Sequence, residues 1–354
     1  MSFNFKDLNR PKPIKVPADA LSVNKGDDYP GIAELLISGK PVLIKDQFHT
    51  GLNILSELKK IIFDEKPETG FTAYRNQRSQ FREASNKLMV PVRENRIALK
   101  KSPDIGWLKE LYPEHSDFYL SFPDVQGLNS SWQWYKNGIS YPGLEEKIHP
   151  YYGSYFPTRK DHLYLFDYWL RKYRGGKKTA LDMGTGCGIL AFQLLTKGFE
   201  RVLGTDINPN SILSAKLSAK TLGLEKKFNV IHSDLFENVD EKFDLIVFNP
   251  PWLPAENDIT GLDSAIYFEP DLFSRFFDKA GDYLNEKGKI AFIFSNLGQK
   301  EGELEAHPVE EELKKGRFKN VNQIRRKADR PSQKTKRRDH RKDEYVELWV
   351  LGKT

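Results

Sequence analysis

The chain has 354 residues, enough for one large or two ordinary domains, and its 39% hydrophobic and 29% charged residues are typical of a water-soluble globular protein. No stretch approaches the roughly 20 apolar residues that a transmembrane helix needs, and the N-terminus has no apolar signal region, so neither a membrane partner nor secretion is expected. Cys187 is the single cysteine, which excludes an intrachain disulfide and fits a reducing, cytoplasmic compartment.

The positive charge is concentrated in one segment. The formal net charge of the chain is +6, whereas residues 325–342 alone hold ten Lys/Arg and two Asp, a local net charge of +8 that leaves −2 for the rest. A segment of this kind can attract a polyanion such as a nucleic acid. The alternative is a solvated loop without a partner.

Residues 1–150 are predicted to form a mixed α and β domain with short, irregular elements. Pro41–Lys45 has the pattern of a strand, and Leu52–Phe63 has that of an amphipathic helix. Asp117–Phe122 and Ser131–Tyr135 are rich in aromatic residues, which form a core more often than a ligand platform. This domain carries no chemical motif, so its expected role, substrate recognition, rests only on its place beside the segment that follows.

Residues 151–354 form a second predicted domain, in which strand and helix patterns alternate. Apolar runs bounded by turn residues predict the strands Thr179–Met183, Arg201–Asp206, Phe228–Asp234, Phe243–Asn249 and Lys289–Ser295. Helical periodicity, with start and stop signals, predicts the helices Asp161–Tyr173, Ile189–Gly198, Pro209–Gly223 and Pro270–Asn285. Strands that alternate with helices form parallel βαβ units, so a doubly wound sheet is expected.

The last residues predict a different connection. Val309–Lys315 has the pattern of a short helix, and Phe318–Ile324 and Tyr345–Leu351 have that of strands. Two terminal strands joined without a helix suggest an antiparallel hairpin that closes the sheet. The expected fold class is therefore α/β, with a doubly wound, mostly parallel seven-stranded sheet, a C-terminal antiparallel hairpin and an N-terminal α+β domain.

A glycine-rich turn follows the first of these strands. The segment LDMGTGCG contains the candidate cofactor-binding residues Asp182, Gly184, Thr185, Gly186 and Gly188. Glycine has no Cβ, so such a turn lets the backbone approach a ligand, and in a doubly wound sheet ligands bind beyond the carboxyl ends of the strands. The dinucleotide fingerprint G-x-G-x-x-G would need a third glycine where the chain has Ile189, and the spacing found is D-x-G-x-G-x-G.

This spacing resembles motif I of the class I S-adenosylmethionine-dependent methyltransferases. The resemblance covers roughly residues 155–352, about half of the chain. It implies a Rossmann-like methyltransferase fold with S-adenosylmethionine as the cofactor. It also implies that the glycine turn packs against the methionine part of that cofactor.

Two further carboxylates follow the next two strands. Asp206, followed by Ile207, ends the second strand, where a carboxylate can accept both ribose hydroxyls, as it also does in dinucleotide folds. The resemblance implies that Asp234 accepts from the adenine amino group and that Leu235 donates its backbone N–H to the ring. Any one of these carboxylates could instead cap a helix. Three of them, at the ends of three successive strands, favour a nucleoside site.

The fourth strand ends in Asn249-Pro250-Pro251-Trp252, the candidate catalytic motif. Methyl transfer is an in-line displacement at a sulfonium carbon, so the acceptor nitrogen must direct its lone pair at the methyl group. The Asn249 side-chain oxygen and the Pro250 carbonyl can both accept from a planar NH₂ group, which orients it and favours positive charge on nitrogen. The prolines stiffen the turn, and Trp252 can stack on a planar acceptor. The alternative is a structural turn with a core tryptophan.

The motif resembles the [N/D/S]-P-P-[Y/F/W] signature of two groups of methyltransferases. One group methylates adenine N6 or guanine N2 in nucleic acids, and the other methylates release-factor glutamine. Before the first helix, where glutamine methyltransferases carry Pro-Arg-x-x-Thr, this chain has Pro157-Thr158-Arg159, a different order. The departure weakens the glutamine interpretation, and Tyr155, Thr158 and Arg159 are candidate substrate-binding residues.

The basic segment favours a nucleic-acid acceptor. In the family topology the turn between the last two strands lies on the active-site side, so a cationic arm there suits a phosphate backbone. The expected acceptor is an exocyclic amine of a base in RNA, or less so in DNA, with Arg337, Arg338 and Arg341 as candidate contacts. A base within a duplex would have to be flipped out.

Two other functions stay open. One is a protein glutamine N5-methyltransferase, with a protein substrate. The other is a nucleic-acid-binding module whose methyltransferase fold has lost activity, against which the intact Asn249-Pro250-Pro251 argues. The histidines have no metal-ligand spacing, so no metal is expected, and the oligomeric state is not predicted.

Overall fold

The structure is a computed structural model that describes residues 8–64, 71–255, 266–300, 302, 304–328 and 343–354. The chain divides into two compact units. The N-terminal unit comprises Arg10–Lys136, and the C-terminal unit comprises Asn137–Thr354 with Leu8 and Asn9. The sequence places the boundary further on, at residue 150. No helix in the described ranges combines the length and the apolar character that a membrane span requires.

The N-terminal unit is built around a mixed sheet. Its elements are β1 (Leu21–Val23), α1 (Tyr29–Ile37), β2 (Val42–Ile44), α2 (Phe48–Asp64), α3 (Phe71–Ser85), β3 (Leu88–Arg93), β4 (Arg96–Ile97), α4 (Trp107–Glu110), β5 (Phe118–Ser121) and α5 (Phe122–Asn137). Among the described residues, five strands form a sheet in the order β1-β2-β3-β4, with β5 also paired to β3. β1, β2 and β3 are parallel neighbours, whereas β4 and β5 run antiparallel to β3.

The aromatic run Ser131–Tyr135 lies on α5 and contributes in part to the core of this unit. Trp132 and Tyr135 pack against the buried Trp107, with ring-centroid distances of 5.1 and 4.6 Å. Trp134, by contrast, is 41% exposed. Two of the three rings of this run therefore pack against a core residue, but both are only half-buried and neither is part of the core itself.

The C-terminal unit contains the predicted alternating elements, together with short elements that the sequence does not predict. They are α6 (Asp161–Lys172), β6 (Thr179–Met183), α7 (Ile189–Thr196), β7 (Arg201–Asp206), α8 (Pro209–Thr221), β8 (Phe228–His232), β9 (Phe243–Phe248), β10 (Leu253–Pro254), β11 (Tyr267–Phe268), α9 (Leu272–Ala280), β12 (Leu284–Ser295), α10 (Leu297–Lys300), α11 (Pro308–Lys314), β13 (Phe318–Lys327) and β14 (Tyr345–Lys353). The short elements that the sequence does not predict are β10, β11 and α10. Seven of the described strands form a sheet in the order β13-β14-β12-β9-β6-β7-β8. The predicted doubly wound, mostly parallel sheet is confirmed.

Hydrophobic cores cover both faces of this sheet. In β6, Ala180 belongs to one core and Leu181 to the other, and in β9 Leu245 and Ile246 divide in the same way. Side chains of a strand point alternately to the two faces, so this division shows that helices and loops cover both of them. Continuous apolar runs, without alternating polar residues, are therefore what these strands require.

Helix α9 is shorter than the sequence predicts. The helical pattern extends over Pro270–Asn285, but the helix ends at Ala280 and is followed by Gly281. Leu284 already pairs with Phe243 in the sheet. Pairing with a distant strand overrides the local helical preference of these residues.

The C-terminal hairpin ends beside the carboxyl end of β9. Phe292 of β12 is the partner of Phe248, the last residue of β9, and Ser295 of β12 is the partner of Val346. β14 runs antiparallel to both β12 and β13, so the predicted closing hairpin is confirmed. The start of β14 and the end of β13 lie at the edge of the sheet where β9 ends.

Candidate active site

A cavity of about 610 Å³ lies at the carboxyl ends of β6, β7, β8 and β9. Ligands of doubly wound sheets bind at this edge. The predicted site residues that line the cavity are Tyr155, Gly184, Gly186, Asp206, Ile207, Asp234, Leu235, Asn249, Pro250, Pro251 and Trp252. The fold therefore brings together loops that are far apart in the sequence.

Other predicted site residues lie elsewhere. Those that the structure describes but that do not line the cavity are Thr158, Arg159, Asp182, Thr185 and Gly188. Arg337, Arg338 and Arg341 lie outside the described residues. Within the described ranges, no group of three or more His, Cys, Asp or Glu side chains could hold a metal ion.

The glycine turn between β6 and α7 has a backbone that favours glycine. The φ angle is +64° at Gly184, +55° at Gly186 and +90° at Gly188. A Cβ on Gly186 would lie 2.9 Å from the carbonyl oxygen of Tyr155, which accepts a hydrogen bond from the backbone N–H of Cys187 at 3.0 Å. Gly184 and Gly186 thus present bare backbone to the cavity, and this glycine cradle, held against the segment before α6, fits a ligand that must approach the backbone closely.

Asp182 lies beneath this turn. It is 1% exposed, and its Oδ2 accepts hydrogen bonds from the Thr185 hydroxyl at 2.6 Å and from the backbone N–H of Ala191 at 3.1 Å. Its Oδ1 has no hydrogen-bond partner among the described residues. The sequence predicts Asp182 and Thr185 as cofactor contacts, whereas the structure places them where they hold the turn from below.

Burial makes Asp182 a source of pH-dependent stability. It raises the pKa of this carboxyl to about 7 from an ordinary value of 3.8, despite the hydrogen bonds from Thr185 and Ala191. The folded chain then keeps a proton that the unfolded chain releases, so stability is expected to fall as pH rises from about 4 to about 7.

The variant Asp182→Asn cannot ionise at this position. The difference in melting temperature, variant minus wild type, is expected to be more positive at pH 8 than at pH 5. The expected change is about 2–4 °C for each kcal/mol that the wild type loses by ionising the buried carboxyl. Differential scanning calorimetry at the two pH values measures this difference. If the difference in melting temperature between variant and wild type were the same at both pH values, Asp182 would not have a raised pKa in the folded chain.

Asp206, the last residue of β7, presents a fixed carboxylate at the cavity. Its two oxygens accept hydrogen bonds from the backbone N–H groups of Gly186 and Asn208, both at 2.9 Å. Burial raises the pKa of Asp206, while these hydrogen bonds and one from Ser211 act in the opposite direction. Ile207 is 52% exposed and adds an apolar wall. An acceptor for hydroxyl groups beside an apolar surface suits a ribose and its base.

Asp234 and Leu235 follow β8. Leu235 has a φ of +47°, an uncommon conformation for a residue with a side chain. Both oxygens of Asp234 accept from Nη2 of Arg275, at 2.7 and 2.8 Å. Arg275 belongs to α9 and lines the same cavity. Arg275 has no local sequence signal for this role, because no spacing connects a helix residue with a strand end 41 residues earlier.

The turn Asn249–Trp252 follows β9 and orients its own asparagine. The indole N–H of Trp252 donates a hydrogen bond to Asn249 Oδ1 at 3.2 Å. An indole N–H can only donate, so this contact determines which end of the Asn249 amide carries the oxygen. The sequence predicts Trp252 as a stacking platform for the acceptor. In the structure its ring also packs edge-on against His162, with centroids 5.6 Å apart.

His162 is a second residue beside the site that no sequence motif predicts. It is 2% exposed, and burial lowers its pKa to about 4, so the ring is neutral near pH 7. A neutral ring can support Trp252 without placing a charge beside the turn. A lone histidine on a helix gives no sequence signal for such a role.

The segment before α6 contributes Tyr155 to the cavity, but not its other two candidates. Thr158 is exposed to solvent. Arg159 forms ion pairs with Glu344 at 2.6 Å and with Asp161 at 3.2 Å. Its guanidinium therefore connects this segment to the residue before β14, and the sequence has no local pattern that predicts this pairing.

The described part of the basic segment is partly neutralised by the unit itself. Arg325 Nε lies 2.6 Å from Glu347, and Lys327 Nζ lies 3.5 Å from Asp343. Glu347 is 2% exposed, so the first of these pairs is anchored in the core. These acidic partners reduce the charge that the described part of the segment presents to a polyanion.

Comparisons with known proteins agree with this architecture. A family model described as the methyltransferase small domain matches residues 170–327. A Methanocaldococcus jannaschii protein with the provisional name protein N5-glutamine methyltransferase is 34% identical over 172 residues, which are 46% of this chain and 82% of that protein. The release factor glutamine methyltransferase of Buchnera aphidicola subsp. Baizongia pistaciae is 40% identical over 25% of this chain and 32% of that enzyme. The ribosomal protein uL3 glutamine methyltransferase of Neisseria gonorrhoeae is 35% identical over 26% of this chain and 31% of that enzyme.

The sheet order, the glycine cradle and the carboxylate at the end of β7 define the class: a Rossmann-like, class I methyltransferase fold. The chain belongs to the methyltransferase small domain family. It is an S-adenosylmethionine-dependent N-methyltransferase. This assignment argues against the alternative of a nucleic-acid-binding module that has lost activity. The cavity fits the cofactor, because it combines a backbone surface without side chains, an acceptor for hydroxyl groups and apolar walls.

Proposed function

We propose that this enzyme methylates the side-chain amide nitrogen of a glutamine in a protein substrate. The oriented oxygen of Asn249 at the cavity supports methyl transfer to a planar NH₂ group. The observation that favours glutamine is the 34% identity, over 172 residues, to a relative named for N5-glutamine methylation. Two further relatives carry glutamine methyltransferase in their names. The comparisons thus favour the glutamine alternative over the base amine that the basic segment suggests.

A primary amide presents a planar NH₂ group, and two acceptors are needed to orient it. Asn249 Oδ1 has two lone pairs, and the indole of Trp252 uses one of them. We assign the second lone pair and the carbonyl oxygen of Pro250 to the two N–H bonds of the substrate. Their partial negative charges favour the positive charge that develops on the nitrogen.

S-adenosylmethionine, when bound, supplies an electrophilic methyl group on a sulfonium sulfur. The oriented amide nitrogen forms the new N–C bond as the C–S bond breaks, and S-adenosylhomocysteine is the leaving group. The nitrogen then loses one proton to water. The side chains at Asn249 and Trp252 contribute by positioning and by electrostatics, which requires no proton transfer to the enzyme.

An exocyclic amine of an RNA base is the second candidate, and residues 325–342 favour it. Such an amine is also planar, so Asn249 does not distinguish it from an amide. Arg325 and Lys327 have acidic partners, however, which reduces the charge that the described part of the segment offers to a phosphate. We assign substrate recognition to residues 1–150 in either case, since the family match begins only at residue 170.

Transfer of a tritiated methyl group from S-adenosylmethionine to separate protein, RNA and DNA fractions of cells that lack the enzyme tests the acceptor. We expect label in the protein fraction that is removed by protease and not by nuclease. Peptide mass spectrometry is then expected to locate the methyl group on a glutamine amide. The Asn249→Ala enzyme measures the background. Nuclease-sensitive label in the RNA fraction would overturn the glutamine proposal and support base methylation.

A further inference from the structure

Arg275 lies at the cavity among three carboxylates. Its Nη2 donates to both oxygens of Asp234, at 2.7 and 2.8 Å. Its Nε lies 3.8 Å from Asp271, and its Nη1 lies 3.9 Å from Glu269. The two longer contacts are with acidic residues that lie just before α9, the helix of Arg275. The two short ones hold the carboxylate of Asp234.

We infer that Arg275 is a positioning residue for the cofactor, which acts by fixing the carboxylate of Asp234 toward the adenine amino group. The inference rests on the proposed placement of adenine at Asp234. An ionised carboxylate has about four lone-pair positions, so the hydrogen bonds from Arg275 leave room for an N–H donor of the ligand.

Exposure explains why Asp234 needs this support. Its side chain is 48% exposed, and that of Arg275 is 37% exposed. A carboxylate in such a position, without a partner, rotates among several rotamers and must lose that freedom when the ligand binds. Arg275 restrains the carboxylate of Asp234 before the cofactor binds. Cofactor binding therefore does not have to offset the loss of side-chain entropy at Asp234.

The same arrangement distinguishes purines by the group at position 6. An amino group donates to the fixed carboxylate, whereas a keto oxygen would place one acceptor against another. The preference for S-adenosylhomocysteine over S-inosylhomocysteine therefore reports how firmly Asp234 is held. A purely structural role of Arg275 would not change this preference.

Calorimetry on the full chain, with S-adenosylhomocysteine as the probe, tests the inference. Asp234→Ala is expected to weaken binding about tenfold and Arg275→Ala about fivefold. The double variant is expected to bind no more weakly than Asp234→Ala, because Arg275 acts through Asp234. Arg275→Lys, which keeps the charge and loses the planar guanidinium, is expected to bind with intermediate affinity. The preference over S-inosylhomocysteine is expected to fall in Arg275→Ala toward that of Asp234→Ala.

Arg201→Ala is the matched control. Arg201 donates to both oxygens of Glu241, at 2.8 and 2.6 Å, at the opposite end of β7 from the cavity, and both affinities are expected to stay unchanged. Two results would overturn the positioning role of Arg275 while leaving adenine at Asp234. One is that the losses of affinity add in the double variant, and the other is that Arg275→Ala binds like wild type although Asp234→Ala binds weakly. Full affinity in both Asp234→Ala and Asp206→Ala would instead overturn the proposed cofactor placement.

Discussion

Asn249→Ala is expected to lower kcat by about a hundred- to a thousandfold, with the Kd for S-adenosylhomocysteine within about threefold of wild type. Alanine removes the side-chain oxygen that the indole of Trp252 orients, so the acceptor NH₂ group is held only by the carbonyl of Pro250. The acceptors and backbone groups around Gly186 and Asp206 stay in place, so cofactor binding is preserved. Single-turnover rates and calorimetry measure the two effects separately.

Two variants make this result specific. Asn249→Asp keeps an oxygen for the indole N–H and another for the substrate, so it is expected to retain more activity than the alanine variant. Asn229→Ala removes an exposed asparagine whose Oδ1 accepts from its neighbour Val230, and it is expected to be neutral. If Asn249→Ala kept its turnover, Asn249 would have no part in the chemistry. A parallel loss of cofactor affinity would show that the turn supports the cofactor and not the acceptor.

Asp206→Ala is expected to weaken S-adenosylhomocysteine binding by about a hundredfold or more. Two hydrogen bonds from ribose hydroxyls to a carboxylate, each worth roughly 1.5–3 kcal/mol, correspond to at least this factor. The substitution also removes the acceptor for the backbone N–H groups of Gly186 and Asn208, so the glycine turn loses a tether. We therefore also expect a lower melting temperature.

The exposed Asp240 offers a control of the same residue type. Asp240→Ala is expected to leave both the affinity and the melting temperature unchanged. The affinity of Asp206→Ala is measured by calorimetry below its melting temperature, so that unfolding does not imitate a loss of binding. Wild-type affinity in a folded Asp206→Ala protein would place the ribose elsewhere in the cavity.

The location of the candidate site is predictable from the sequence because the strands are parallel. Gly184 directly follows a predicted strand, Asp206, Asp234 and Asn249 are each the last residue of one, and all four line one cavity. The carboxyl ends of parallel strands meet at the same edge of a sheet, so residues at these points converge whatever the details of packing. Apolar runs, glycine spacing and turn residues are local signals, and they are sufficient for this conclusion.

The assignment of a role to each residue needs the tertiary structure. Asp182 and Gly184 are two residues apart, yet one is buried beneath the turn and the other lines the cavity. A strand with one exposed face shows alternating polar and apolar residues, which indicates where each side chain points. The strand β6 has no such pattern, because both faces of the sheet are covered and the whole strand is buried. The extent of α9 was likewise decided by a pairing with a distant strand.

By itself, the sequence determined the class of fold, the order of the strands and helices that build the seven-stranded sheet, and the edge of that sheet at which the chemistry lies. These depend on periodicity and on turn residues, which are properties of short stretches of chain. Only the tertiary structure decided which polar groups meet: Arg275 with Asp234, or Arg159 with a carboxylate 185 residues away. Such pairs depend on how whole elements pack against each other, and no local pattern encodes that geometry.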